Sequence, residues 1–197
     1  MLPDAITLPT LECERLRLRW LTPDDLPALF AVFGDPEVCR YWSRPAMLDV
    51  AEAAGLRDQI VSLFTQRSLF QWGIALRESD EVIGTCTLAG LDEPHHRASV
   101  GYALARAHWG RGYAGEALPR LVRFAFDELN LRRLEADVDP RNLASIRALE
   151  RAGFMREGYQ RERYHVNGEI QDTVLFGLLR REWREVGLDR PVSAPDT

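Results

Sequence analysis

The chain has 197 residues, 46% of them hydrophobic and 28% charged, which suits one domain with a sizeable core and excludes global disorder. Its 30 acidic and 25 basic residues give a net charge of -5, which disfavours a general nucleic-acid binder and mildly favours a cationic substrate or partner. No apolar run approaches the roughly 20 residues of a membrane span, and the start MLPDAITLPTLECER lacks the pattern of a secretory signal. Cys13, Cys39 and Cys86 show no paired spacing, so neither a disulfide framework nor a metal cluster is expected. These features predict a reduced, cytoplasmic protein.

Taken in chain order, residues 15–21 alternate Leu16, Leu18 and Trp20 against Arg15, Arg17 and Arg19, the period of a half-buried strand. Thr22-Pro23-Asp24-Asp25 supplies an N-cap, a first-turn Pro and early acids, predicting a helix to about Phe33. Asp35-Pro36-Glu37 restarts the chain, and Asp49 opens a helical stretch to about Arg67. Residues 71–76 and 82–88 read as a hairpin around Glu78-Ser79-Asp80-Glu81, and a loop at 92–96 leads to a strand at 98–104. Leu118, Leu121, Val122, Ala125, Phe126 and Leu129 recur at helical spacing, giving an amphipathic helix over about 113–129. Pro119 inside it cannot bond the Gly115 carbonyl and would crowd it, which predicts a local bend or an opened first turn.

A short strand at 134–138 and a helix at 142–152 follow, the helix ended by Gly153. Strands at 154–163 and 173–179 flank the turn Asn167-Gly168. The expected organisation is an N-terminal extension (1–10), a single domain (11–185) and a loose C-terminal tail (186–197). The fold class is α+β, around a mixed, mainly antiparallel sheet.

Chemistry is expected in two segments. Trp109-Gly110-Arg111-Gly112-Tyr113-Ala114 follows a strand and opens a helix. Glycines there admit close backbone approach, and free N–H groups at a helix start suit a pyrophosphate, with Arg111 or Arg106 at hand for further oxygens. Gly110 to Gly115 also fits the G-x-G-x-x-G pattern, with Glu135 or Asp137 roughly 20 residues on, so a dinucleotide-binding oxidoreductase is a rival reading. The five residues between strand and first glycine, and the hairpins before them, count against it. The second segment is Val138-Asp139-Pro140-Arg141-Asn142-Leu143-Ala144-Ser145, where Asn142 either caps its helix or faces a cleft shared with the glycine loop.

The glycine loop, the Asn-x-x-Ser helix ending in Ala152-Gly153-Phe154, and the further stretches Glu14 to Arg19, Asp35-Pro36-Glu37-Val38, Ile83-Gly84, Val100-Gly101-Tyr102 and Glu157-Gly158 to Asp172 together resemble the GNAT N-acetyltransferase superfamily. They are similar to its ribosomal-protein N-terminal acetyltransferase (RimJ/RimL-like) branch. The resemblance implies a central sheet splayed between its fourth and fifth strands, with acetyl-CoA in the gap and no metal. It implies that Tyr102, Ala103 and Leu104 pair with the pantetheine arm and that residues 109–114 cradle the pyrophosphate. It further implies that Asn142 bonds the pantetheine and Ser145 lies near the sulfur. Relatives often carry a Tyr proton donor seven residues after the Asn and a Glu before the Val-Gly-Tyr core; here Leu149 and Ser99 stand there.

Direct transfer to a primary amine is the expected activity, on a protein N-terminal α-amine or a small-molecule amine. A non-catalytic acyl-CoA-binding or sensory module is the alternative. Ser145 is the remaining candidate donor to the leaving thiolate, and a backbone N–H near Leu104 the oxyanion donor. His95, His96, Glu93 or a water chain remain as weak bases, sufficient for an α-amine of pKa about 7.7–8.0. Tyr41, Trp42 and Arg44 either border the acceptor pocket or simply pack, and Asp172 either orients the amine or sets the hairpin register. The implied protein is a monomer or homodimer. Every basic residue being arginine fits codon bias, or protection of the protein from its own acyl donor.

Overall fold

A computed structural model describes residues 5–166 and 168–185; the expected tail, the first residues of the extension, and Asn167 of the expected turn lie outside them. The strands are β1 (Leu11–Glu12), β2 (Leu16–Arg19), β3 (Leu69–Leu76), β4 (Val82–Asp92), β5 (Arg97–Leu104), β6 (Arg133–Val138), β7 (Met155–Val166) and β8 (Glu169–Leu179). They form one sheet in the order β1-β2-β3-β4-β5-β6-β8-β7, antiparallel at every junction except β5–β6. One parallel pair in an otherwise antiparallel sheet is not the doubly wound sheet of a dinucleotide-binding domain. The helices are α1 (Leu26–Phe33), α2 (Pro36–Cys39), α3 (Val50–Thr65), α4 (Tyr113–Asp127), α5 (Leu143–Arg151) and α6 (Arg180–Glu185).

Alternation along the strands makes two cores. Leu134, Ala136 and Val138 of β6, with Val174 and Phe176 of β8, pack on α4 and α5. Leu21, Ala75 and Ala103 face α1 and α3 through Leu29, Val32, Ala53 and Ile60. The extension takes part: Leu8 is buried and the Trp72 indole donates to the Pro9 carbonyl at 2.9 Å. β1, α2 and α6 are additional to the expected elements. α4 runs without interruption through Pro119, so the opened first turn expected there does not form.

The start of α1 rests on one buried carboxylate. Asp25 accepts two hydrogen bonds from Arg19 at 2.8 Å and one from the Thr22 N–H at 2.7 Å. Burial alone would raise its pKa, but the Arg19 and Thr22 bonds outweigh that and hold it below the usual carboxylate range. An unfolded carboxylate titrates at about 3.9, so the stabilisation is complete above that pH and is lost as pH falls through the lower native value. Replacing Asp25 with Ala is expected to cost about 3 kcal/mol, since Arg19 is left buried without its main partner. Urea denaturation at pH 7 checks the magnitude; repeated below pH 4, it is expected to show the difference from wild type shrinking.

Candidate active site

The site is created by an early end to strand pairing. β5 and β6 share only three register pairs, Arg97 with Arg133, Ala98 with Leu134 and Ser99 with Glu135. Beyond them β5 continues to Leu104 bonded to β4 alone, and β6 continues to Val138 bonded to β8 alone. The backbone polar groups of the two inner edges therefore face a gap. On β5 their direction is set: the Ala105 N–H donates to the Ile83 carbonyl of β4 at 2.8 Å, so by alternation the Leu104 N–H points away from β4 into the gap. Gly84 makes this close pairing possible, since a side-chain carbon there would lie 2.3 Å from the Ala103 carbonyl oxygen.

Past Leu104 a single 3-10 turn (Arg106–His108) leads into the glycine loop. Gly110 and Gly112 have φ of 73° and 82°, a left-handed backbone that side chains rarely tolerate, and Gly112 is the N-cap of α4. The N–H groups of Gly110, Arg111, Gly112, Tyr113 and Ala114 have no hydrogen-bond partner among the described residues. These donors lie at the positive end of a four-turn helix, an arrangement that suits an anion. The exposed Arg111 side chain has no partner among the described residues, whereas Arg106 is drawn 3.6 Å from Asp35, so only Arg111 is uncommitted beside the loop.

Two clamps hold this backbone, and neither is evident from sequence pattern. The half-exposed Trp109 turns its indole back and donates to the Leu104 carbonyl at 2.7 Å. The peptide unit joining Leu104 to Ala105 is thus gripped at its C=O by Trp109 and at its N–H by Ile83. Arg15, just before β2, donates its backbone N–H and Nε to Glu116 at 2.6 and 2.8 Å, and Nη1 to the Arg111 carbonyl at 3.1 Å. Its guanidinium also lies 4.9 Å from the centre of the Tyr113 ring.

Across the gap, Asn142 caps α5 by accepting the Ser145 N–H at 3.1 Å, which uses its carbonyl oxygen and leaves its amide N–H groups for another partner. Ser145 reaches back to β5: its Oγ lies 2.9 Å from the Tyr102 Oη, and its carbonyl oxygen 3.4 Å from the same atom. Leu149, seven residues after Asn142, is buried in the core. Tyr102, Leu104, the loop and the start of α5 therefore converge on one gap.

Other expected residues lie apart. Glu93, His95 and His96 occupy the β4–β5 turn, at the paired end of β5, about 25 Å along the strand from Leu104. His95 there pairs with Asp92 at 2.8 Å, so these three are not bases for chemistry at the gap. Asp172 accepts from the Tyr159 hydroxyl and from the Glu162 N–H at 2.7 Å; it serves the bulged β7–β8 hairpin. Trp42 packs on Phe33 at 5.5 Å, and Arg44 on the same ring. Tyr41 instead sits between Arg40 and Arg141, beside the end of β6. Burial pushes all three thiols up, Cys13 to about 12, which leaves no nucleophilic cysteine among the described residues.

Sequence reading named Asp137 only for the rival dinucleotide fold, not as a carboxylate on the splayed part of β6. Asp137 is exposed, lies on the face opposite α4 and α5, and accepts the Tyr164 hydroxyl at 2.6 Å. On that face of β8, Thr173 Oγ1 is buried with no partner among the described residues. A cavity of about 520 Å³ lined by Arg132, Leu179, Arg180 and Arg181 is at the other end of β6.

Comparison with known proteins decides the family. Residues 15–155 match the model of the acetyltransferase (GNAT) domain. The chain belongs to the GNAT acetyltransferase family. An uncharacterized N-acetyltransferase, p20, of Bacillus licheniformis is 38% identical over 174 residues, 88% of this chain and 98% of the relative. The Escherichia coli ribosomal protein uS5 alanine N-acetyltransferase is 29% identical over 119 residues, 60% of this chain and 61% of that protein. The structure of spermidine N-acetyltransferase from Vibrio cholerae, in complex with CoA and spermine, shares the fold at a TM-score of 0.77 and 22% identity, covering 86% of this chain and 98% of that one. GNAT acetyltransferases use acetyl-CoA, so N-acetyltransferase chemistry follows for this GNAT fold. The splayed mixed sheet matches the expected fold class.

Removing the Glu116 clamp tests how the loop is held. Glu116→Ala is expected to cost about 1.5 kcal/mol, from the charged hydrogen bonds it accepts. For a chain of this size that is a fall of roughly 3–6 °C in melting temperature, measurable by calorimetry.

Proposed function

We propose that this GNAT protein transfers the acetyl group of acetyl-CoA directly to a primary amine, and that the acceptor is the α-amine of a polypeptide, as in the ribosomal-protein branch. The observation that carries the reading is the set of unpartnered N–H groups from Gly110 to Ala114, together with the Leu104 N–H aimed into the same gap. Residues 109–114 would hold the diphosphate, with Arg111 adding charge, and the edge of β5 from Tyr102 to Leu104 would run beside the pantetheine arm. Asn142 keeps amide donors for that arm after capping α5.

The donor supplies an activated carbonyl whose sulfur departs as a thiolate. Leu104 offers its N–H to the oxygen that gains charge, and Ser145 its hydroxyl to the departing sulfur. The amine must arrive neutral. An α-amine with pKa about 7.7–8.0 meets that condition near neutral pH without a strong base, unlike a lysine amine near 10.4. The absence of a carboxylate at Ser99 therefore favours the α-amine. Asp137 and Thr173, on the side away from α4 and α5, would attract and seat the ammonium before it loses its proton.

Calorimetric titration with acetyl-CoA tests the binding, and none at high micromolar concentration would sink the reading. Thiol release measured with a panel of peptide, polyamine and lysine acceptors tests the rest. Turnover is expected with peptides, rising between pH 7 and 8.5. Binding without amine-dependent turnover would instead identify a non-catalytic acyl-CoA module. Ser145→Ala is expected to lower kcat about tenfold or more, within the range for a positioned proton donor, while leaving acetyl-CoA binding intact.

A further inference from the structure

Among the described residues, a side-chain contact bridges the gap between the Tyr102 phenol on β5 and Ser145 on α5. The two strands have stopped pairing three residues before Tyr102, so this bond joins edges that the backbone leaves apart. The Tyr102 side chain is half-buried, and Leu149 closes off the position seven residues after Asn142 with an aliphatic side chain. Tyr102 is therefore the hydroxyl in direct contact with Ser145.

We propose that Tyr102 is the positioning residue that aims the Ser145 hydroxyl at the departing sulfur, an inference that rests on the transferase reading above. The half-buried phenol has two acceptors in reach among the described residues, Ser145 Oγ at 2.9 Å and the Ser145 carbonyl at 3.4 Å. The second is long for an O–H···O bond, and that carbonyl belongs to the α5 ladder. Either hydroxyl could donate across the 2.9 Å contact; in the proposed arrangement the phenol is the donor to Oγ. Burial raises the Tyr102 pKa and so keeps this proton in place at neutral pH.

With its oxygen occupied as an acceptor, Ser145 has its own hydrogen free to turn into the gap. During transfer the amine nitrogen bonds to the carbonyl carbon, and the carbon–sulfur bond breaks with its electron pair on sulfur. The Ser145 O–H then donates a hydrogen bond to that thiolate. The proton shed by nitrogen leaves the products as amide and free thiol, so Tyr102 and Ser145 end with the protons they began with. Here the phenol arrives from the strand and works through a serine.

Tyr102→Phe removes one oxygen and keeps the ring. Its kcat is expected to fall about tenfold, with the KM for acetyl-CoA and the calorimetric Kd within twofold of wild type. Because both groups act through one hydroxyl, the double variant Tyr102→Phe with Ser145→Ala is expected to be no slower than Ser145→Ala alone, and Ser145→Thr to recover part of the rate. A Tyr102→Phe enzyme with unchanged kcat, a double variant whose losses multiply, or a selective loss of acetyl-CoA affinity would each overturn the proposal. Should Tyr102→Phe fail to fold, the hydroxyl's role is judged from Ser145→Ala against Ser145→Thr, and equal rates for those two would overturn it. Failure of the wild type to bind acetyl-CoA would overturn the transferase reading itself, a result distinct from any of these.

Discussion

Everything at the site follows from the place where β5 and β6 part. Had their register continued to Leu104, the inner edges would have saturated one another, and the sheet would offer a guest nothing but side chains. Parting after Ser99 and Glu135 leaves a run of main-chain donors and acceptors on each edge. Such groups cannot stay unsatisfied without cost, so they are completed by water or by a guest. The outer neighbours β4 and β8 keep both strands rigid while this happens.

Around the gap, bonds from distant parts of the chain hold what the parted strands cannot hold themselves. Arg15 lies just before β2, yet it grips the start of α4 and the carbonyl of Arg111. Tyr102 reaches α5, and Asn142 shapes the first turn of that helix. The glycine loop is thus unencumbered at its N–H groups but anchored through its carbonyl and its flanks. That division is what an anion site needs: free donors on a backbone that does not wander.

Much of this was legible in the sequence, for local reasons. The Arg15 to Trp20 alternation, the caps at Asp49 and Asn142, and the glycine that ends α5 all act within a few residues, and the elements formed where these signals stand. The loop at 109–114 was legible as a donor-rich helix start for the same reason. What depended on three-dimensional register was not. Nothing in Glu93-Pro94-His95-His96 says that its hairpin turn lies at the closed end of the sheet, and so two histidines looked closer to the chemistry than they are. Pro119 promised a disrupted turn, but the helix around it absorbed the missing bond. The Trp109 and Tyr102 contacts join residues whose partners are chosen by tertiary packing, which no spacing rule encodes.

The double grip on the Leu104–Ala105 peptide bears on how charge would be met there. Solvent answers a nascent anion by turning its dipoles, and that rotation is itself work. A main chain tethered by an indole on one side and a neighbouring strand on the other has finished its alignment when folding ends. The adjacent N–H is then a fixed electrode rather than a responsive one.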